Sequence, residues 1–82
     1  MARVSKASQG AKLADVRREK GLTQTQLAGA AGITHFYVSK LETGAVPLSD
    51  SALVKLSRGL GMGIDDLATR LGRRSSSNGK AA

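Results

Sequence analysis

Apolar residues recur at helical spacing in five short stretches of the chain, and each stretch is followed by glycine or proline. In the fourth stretch, Leu53, Leu56 and Leu60 stand at positions i, i+3 and i+7, which share one face of a helix. No stretch alternates between apolar and polar residues, as a half-buried strand does. The sequence therefore predicts an all-α fold, a compact bundle of five short helices.

Capping signals mark the ends of these helices. Thr23 and Gln26 match a capping box, in which each side chain binds the backbone amide of the other residue. Thr34 and Ser49 are suitable N-cap residues for the next two helices. The predicted helices cover residues 12–20, 23–31, 34–43, 49–60 and 64–71.

The second and third helices are joined by about three residues that include a glycine, so they must cross steeply and closely. Ala28 supplies a small side chain where the two axes approach, and Gly32 can adopt the positive φ of the turn. The residues able to form a shared core behind the turn are Leu27, Ile33, Val38 and Leu41. These features predict a helix-turn-helix.

From Gln24 onward, the chain resembles the helix-turn-helix of phage Cro and lambda-repressor-like regulators. Ala28, Gly32 and Val38 stand at the small, turn and buried positions of that family. The resemblance extends over about residues 13–71 and includes the segments KGLTQTQLA, SKLETG and LVKLSRGLG. It implies a DNA-binding transcriptional regulator of the kind found among phage, plasmid and restriction-system control proteins.

The resemblance also implies a structural ion pair. The family commonly joins an arginine late in its first helix to a glutamate near the end of its third, and here those residues are Arg17 and Glu42. Such a pair would tie the first helix to the third. Loss of either partner would leave the other charge stranded.

The third predicted helix carries the only histidine, phenylalanine and tyrosine of the chain, at His35, Phe36 and Tyr37. At 100° per residue, Val38 and Leu41 define its buried side, so Phe36 points almost directly away from the core. The other two rings then lie on opposite flanks. We expect the three rings to fan across the helix surface rather than to form one patch.

An outward face with apolar, imidazole, ammonium and hydroxyl groups suits the major groove, where thymine presents a methyl group and guanine presents two acceptors. The family reads bases from the first residues of this helix and from a position one turn later, which implies three base-reading residues: His35, Phe36 and Lys40. Gln24 is expected to hold a backbone phosphate. Secondary phosphate or base contacts are expected from Thr25, Thr34, Tyr37, Ser39 and Thr43.

Simpler explanations exist for the aromatic residues. Phe36 could be buried against a neighbouring subunit or the N-terminal arm, Tyr37 could half-bury its ring, and His35 could be an ordinary surface residue. The chain has a single histidine and no cysteine, so no metal site is expected. No nucleophile has a plausible base, no cofactor or small-molecule ligand is evident, and the protein is not predicted to be an enzyme.

The net charge of +7 is concentrated at the two ends, because residues 21–71 contain as many acidic as basic side chains. Such a charge favours a polyanionic partner. We expect residues 1–10 to form a flexible basic arm, residues 11–72 the helix-turn-helix DNA-binding domain, and residues 73–82 a disordered basic tail. No apolar run approaches the ~18 residues that span a membrane.

One such domain contacts only a few base pairs, so we expect a homodimer on a pseudo-palindromic operator with half-sites about 34 Å apart. The expected dimer interface consists of Met62, Ile64, Leu67 and Leu71. The simplest function is a repressor in the bacterial cytoplasm. The alternatives are an antitoxin that binds both DNA and a toxin, and a basic protein that binds RNA or anionic surfaces without sequence preference.

Overall fold

The computed structural model describes residues 6–72, which form five α-helices joined by short turns. The helices are α1 (Lys6–Glu19), α2 (Gln24–Ala31), α3 (His35–Thr43), α4 (Asp50–Leu60) and α5 (Ile64–Arg70). No strand occurs within this range. The predicted five-helix, all-α bundle is therefore confirmed, and α2 and α3 form its helix-turn-helix.

Side-chain caps set the starts of the three middle helices. The Thr23 hydroxyl accepts from the Gln26 amide at 3.0 Å, and the Gln26 side chain accepts from the Thr23 amide at 2.9 Å. These two bonds complete the predicted capping box. Thr34 and Ser49 cap α3 and α4 through their hydroxyl oxygens. Since each cap involves residues three positions apart, the sequence alone indicates where these helices begin.

The turn between α2 and α3 depends on Gly32, whose φ of 75° lies in the left-handed region that favours glycine. The amide of Ile33 donates to the Ala28 carbonyl at 2.9 Å and closes the end of α2. Behind the turn, α2 packs tightly on α4, since a Cβ placed on Gly59 would lie 3.0 Å from the Cβ of Ala31. The inner side of the helix-turn-helix is therefore packed closely against α4.

One hydrophobic core joins all five helices. Its largest fully buried side chains are Leu13, Val16, Leu27, Val38, Leu41, Leu56, Leu67 and Leu71. Leu67 and Leu71 were expected at a dimer interface, and that prediction is wrong for these two residues. Because α5 packs against α4 and α1 of the same chain, both leucines are already buried there and offer no surface to a second copy.

Helix α1 begins at Lys6, six residues before the predicted start, so the predicted boundary between arm and helix is wrong. Gly10 explains the difference. Glycine weakens a helical pattern in the sequence, but in the fold Gly10 is buried against α3. A Cβ at this position would overlap the backbone carbonyls of Leu41 and Glu42. Residues 1–5 of the predicted arm and the predicted tail, residues 73–82, lie outside the described residues.

Candidate nucleic-acid interface

The first turn of α3 carries the most exposed large apolar side chain of the described residues. Thr34 is the N-cap, so His35 and Phe36 are the first two helical residues. Phe36 is 68% exposed, whereas Val38 is fully buried. This exposure agrees with the outward direction predicted for Phe36.

The rings of His35 and Phe36 lie against each other, with centroids 4.1 Å apart and planes inclined by 32°. The expectation that these two rings diverge is therefore wrong. Neighbouring helical residues start 100° apart, but rotation about their side-chain torsions brings the rings together beyond the helix surface. The pair gives the N-terminal end of α3 one continuous aromatic surface.

Tyr37 differs from its two neighbours. Its side chain is half-buried and packs against the hydrophobic core. Its backbone amide donates to the Thr34 hydroxyl at 3.1 Å. The half-buried ring matches the simpler explanation of this residue, and a contact between the tyrosine and DNA stays a prediction.

The other predicted contact residues lie on α2, on α3 and in the turn between them. Thr25, Thr34, His35, Lys40 and Thr43 are exposed, and Gln24 and Ser39 are half-buried. Lys40 is the only lysine or arginine on these two helices. The surface is therefore rich in hydroxyl and amide groups and poor in charge.

Behind this surface, Arg17 of α1 and Glu42 of α3 form an ion pair with two hydrogen bonds. Arg17 Nε lies 2.7 Å from Glu42 Oε2, and Nη2 lies 3.2 Å from Oε1. The remaining Nη1 donates to the Leu22 carbonyl at 2.9 Å. The two side chains are only 10% and 7% exposed, so each charge is compensated by its partner rather than by water. The structure thus brings together the two residues that the family resemblance paired.

Gln24, at the start of α2, joins the same cluster. Its Nε2 donates to Glu42 Oε1 at 2.9 Å. Sequence reasoning missed this bond, although an expected ion pair at Glu42 implies a carboxylate with further acceptor capacity. The side-chain amide has two N–H bonds. The bond to Glu42 fixes the orientation of the Gln24 side chain.

Exposed apolar surface also occurs around the start of α5. Ile64 is 40% exposed, and Met62 is half-buried. An open surface depression of about 340 Å³ is lined by Met62, Asp66, Thr69 and Arg70. Arg70 donates to Glu19 of α1 at 2.6 Å, and this hydrogen bond raises the pKa of the Arg70 guanidinium. No sequence signal pointed to this second ion pair.

No helix within residues 6–72 combines the length and the apolar character needed to cross a membrane. Within the same range, no three histidine, aspartate or glutamate side chains are grouped as metal ligands.

A helix-turn-helix that is buried on its inner side and exposed along its second helix is the arrangement with which one class of regulators contacts DNA. Residues 10–75 match the helix-turn-helix domain family, and the chain belongs to that family. The chain is also similar to an uncharacterized HTH-type transcriptional regulator, y4dJ, of Sinorhizobium fredii. The two are 37% identical over 60 residues, which cover 73% of this chain and 78% of the relative. The narrower resemblance to Cro and lambda-repressor-like regulators stays a prediction.

Solved structures of bacterial regulators share the fold. The clp gene regulator ClgR of Corynebacterium glutamicum superposes with a TM-score of 0.74 at 29% identity, over 88% of this chain and 92% of that chain. The restriction-modification controller protein C.AhdI of Aeromonas hydrophila gives a TM-score of 0.70 at 31% identity, over 74% and 92% of the two chains. The chain is thus a helix-turn-helix DNA-binding regulator by family and by fold.

Proposed function

We propose that this regulator recognises a specific double-stranded DNA sequence through α3 and represses transcription by occupying an operator. One observation carries the proposal: the exposed His35–Phe36 pair stands on the first turn of the second helix of a helix-turn-helix. In this motif, that turn contacts base edges in the major groove. A ring left in water gives the fold little burial energy, whereas contact with DNA would bury it.

The three base-reading residues have different partners in this proposal. Phe36 packs against a thymine methyl group, and His35 donates a ring N–H to the edge of the neighbouring base pair. Lys40, one turn later on the same helix, donates to the O6 and N7 acceptors of guanine. Together they would contact a few adjacent base pairs.

Mostly neutral groups would hold the DNA backbone. Gln24, oriented by its bond to Glu42, donates its second amide N–H to a phosphate at the N-terminus of α2. Secondary contacts come from Thr25, Thr34, Tyr37, Ser39 and Thr43. Because Lys40 is the only cation on α2 and α3, most of the counterion release would come from the basic ends of the chain.

A homodimer on a pseudo-palindromic operator completes the proposal, with half-sites about 34 Å apart. The half-buried Met62, which lines the depression, and the exposed Ile64 supply the apolar surface for a two-fold contact. The similar structures are bacterial gene regulators and restriction-modification controller proteins, which supports a repressor in the bacterial cytoplasm.

Selection of bound duplexes from a random pool tests sequence specificity. We expect a two-fold-symmetric sequence to be enriched both by the full chain and by residues 6–72, with a shallower salt dependence for the shorter chain. Complete loss of sequence preference in the shorter chain would instead indicate a basic protein that binds polyanions through its ends. Co-purification of a stoichiometric protein partner from native cells would favour the antitoxin function.

The enriched duplex then tests Phe36. We expect Phe36→Ala to lower the binding free energy by ~1–3 kcal/mol, with the loss concentrated at one base position. The matched control is Val54→Ala, which removes another exposed apolar side chain from α4. The two variants should melt at nearly the same temperature as the wild type. A large fall in the melting temperature of Phe36→Ala alone would show that Phe36 is packed rather than available to DNA.

A further inference from the structure

The His35–Phe36 pair has a chemical character that limits what it can distinguish. Phe36 is 68% exposed, and its ring carries no hydrogen-bonding atom. The imidazole of His35 lies against it, with centroids 4.1 Å apart, and covers part of the phenylalanine ring. The pair therefore forms one aromatic surface on the first turn of α3, and Phe36 is its apolar part.

The major groove offers one small apolar group to such a surface. Every base edge there presents hydrogen-bond donors or acceptors, and thymine adds a methyl group on C5. A cytosine methylated on C5 presents the same group at the same place on the pyrimidine ring. Thymine and 5-methylcytosine differ next to the methyl group, where one has an acceptor oxygen and the other a donor amine. A phenylalanine ring has no polar atom that could distinguish them.

The neighbours of Phe36 give little help with that distinction. The Thr34 hydroxyl accepts from the Tyr37 amide as the cap of α3. Tyr37 is half-buried against the core. Lys40 lies one helical turn further along α3 and is placed to reach a different base pair. The selectivity at the base pair below Phe36 should therefore come from the methyl group itself.

We infer that the His35–Phe36 pair binds the C5-methyl group of a pyrimidine, and that it accepts 5-methylcytosine as well as thymine. The inference rests on the proposed function, since it requires α3 to lie in the major groove. It assigns to this regulator a sensitivity to cytosine methylation: a methylated C·G pair at this position is bound in preference to an unmethylated one. Methylation of the DNA would then change occupancy of the operator without any change in base sequence.

Four versions of the enriched duplex test the inference, with T·A, U·A, C·G or 5-methyl-C·G at the position that is sensitive to Phe36→Ala. The T/U and the 5-methyl-C/C comparisons each add only a methyl group. We expect each methyl group to tighten binding by the wild type about fourfold, which corresponds to burial of one methyl group. The T/U and 5-methyl-C/C ratios of binding affinity should both fall to about one in Phe36→Ala and stay at the wild-type value in Val54→Ala.

His35→Ala tests the contribution of the stacked imidazole. If it supports the phenylalanine ring, both methyl ratios should decrease without reaching one, even where overall affinity also falls. Unchanged methyl ratios in this variant would overturn the role given to His35.

The inference and the proposed function can fail separately. If no duplex is enriched, both fail. If a duplex is enriched but the wild type binds the T and U versions equally, or the methyl ratios persist in Phe36→Ala, the methyl inference is overturned while sequence-specific binding stands. A T/U preference without a 5-methyl-C/C preference would overturn the acceptance of 5-methylcytosine and leave thymine recognition.

Discussion

Helix α1 makes one polar contact with α3 and another with α5, and the two contacts differ sharply. On the α3 side, the Arg17–Glu42 pair is 10% and 7% exposed, and the Gly10 backbone touches the end of α3. On the α5 side, Arg70 and Glu19 are 43% and 56% exposed. Water and salt screen exposed charges, whereas a nearly buried charge depends on its partner. Two ion pairs of similar length therefore contribute very differently to the stability of the fold.

Glu42→Ala should produce the largest loss of stability. It leaves the Arg17 guanidinium nearly buried without its counter-charge, and we expect the free energy of unfolding to fall by about 3 kcal/mol. Urea unfolding measures this change in free energy, and we expect the m-value to be unchanged. A loss no larger than that caused by Glu19→Gln, which breaks the exposed pair with Arg70, would contradict the difference between the two contacts.

Gly10→Ala should cost about 2 kcal/mol, because the new methyl group overlaps two backbone carbonyls at the end of α3, and the helix backbone must shift to make room for it. Gly29→Ala is the matched control, since Gly29 is helical and has open space around it. That change should stabilise the protein by about 0.5 kcal/mol. If both alanines shifted stability in the same direction, the close packing of α1 on α3 would be in doubt.

The double variant Arg17→Met, Glu42→Leu separates the stability of this contact from its function. Replacing both charges with apolar side chains should restore most of the stability lost in Glu42→Ala. It also removes the acceptor that orients Gln24. We therefore expect weaker operator binding, about three- to tenfold, in a well-folded protein. Wild-type affinity in a stable double variant would refute the link between this cluster and the phosphate contact.

Glu19→Gln should have the smallest effect. The pair with Arg70 is exposed, so we expect no measurable change in the melting temperature at physiological salt and no change in DNA affinity. Repeating the melt at low ionic strength sharpens the comparison, since any contribution of this pair should appear only there. A loss as large as that of Glu42→Ala would remove the distinction between the two contacts.

Most features that sequence reasoning predicted are set by nearby residues, whereas the Arg17–Glu42 pair, which joins positions 25 apart, was predicted only through the family resemblance. The capping box at Thr23 and the turn at Gly32 involve only a few consecutive positions, so their signals are complete in the sequence. The outward direction of Phe36 follows from helical geometry once Val38 and Leu41 are assigned to the core.

The features that it missed depend on partners far along the chain or on side-chain torsions. In the sequence, Gly10 only interrupts a helical pattern, and its role becomes clear when the end of α3 is seen packed against it. The buried position of Leu67 likewise depends on the packing of α5 on α4 and α1. The contact between His35 and Phe36 is set by torsions that a helical projection does not contain.

The position of Gly10 has a practical consequence for handling this protein. Deleting residues 1–10 as a dispensable arm would remove the first turn of α1 and the backbone that supports the end of α3. An affinity tag or a fluorescent fusion is better joined before Lys6 through a flexible linker. The C-terminal side, after Gly72, offers a second attachment point outside the described helices.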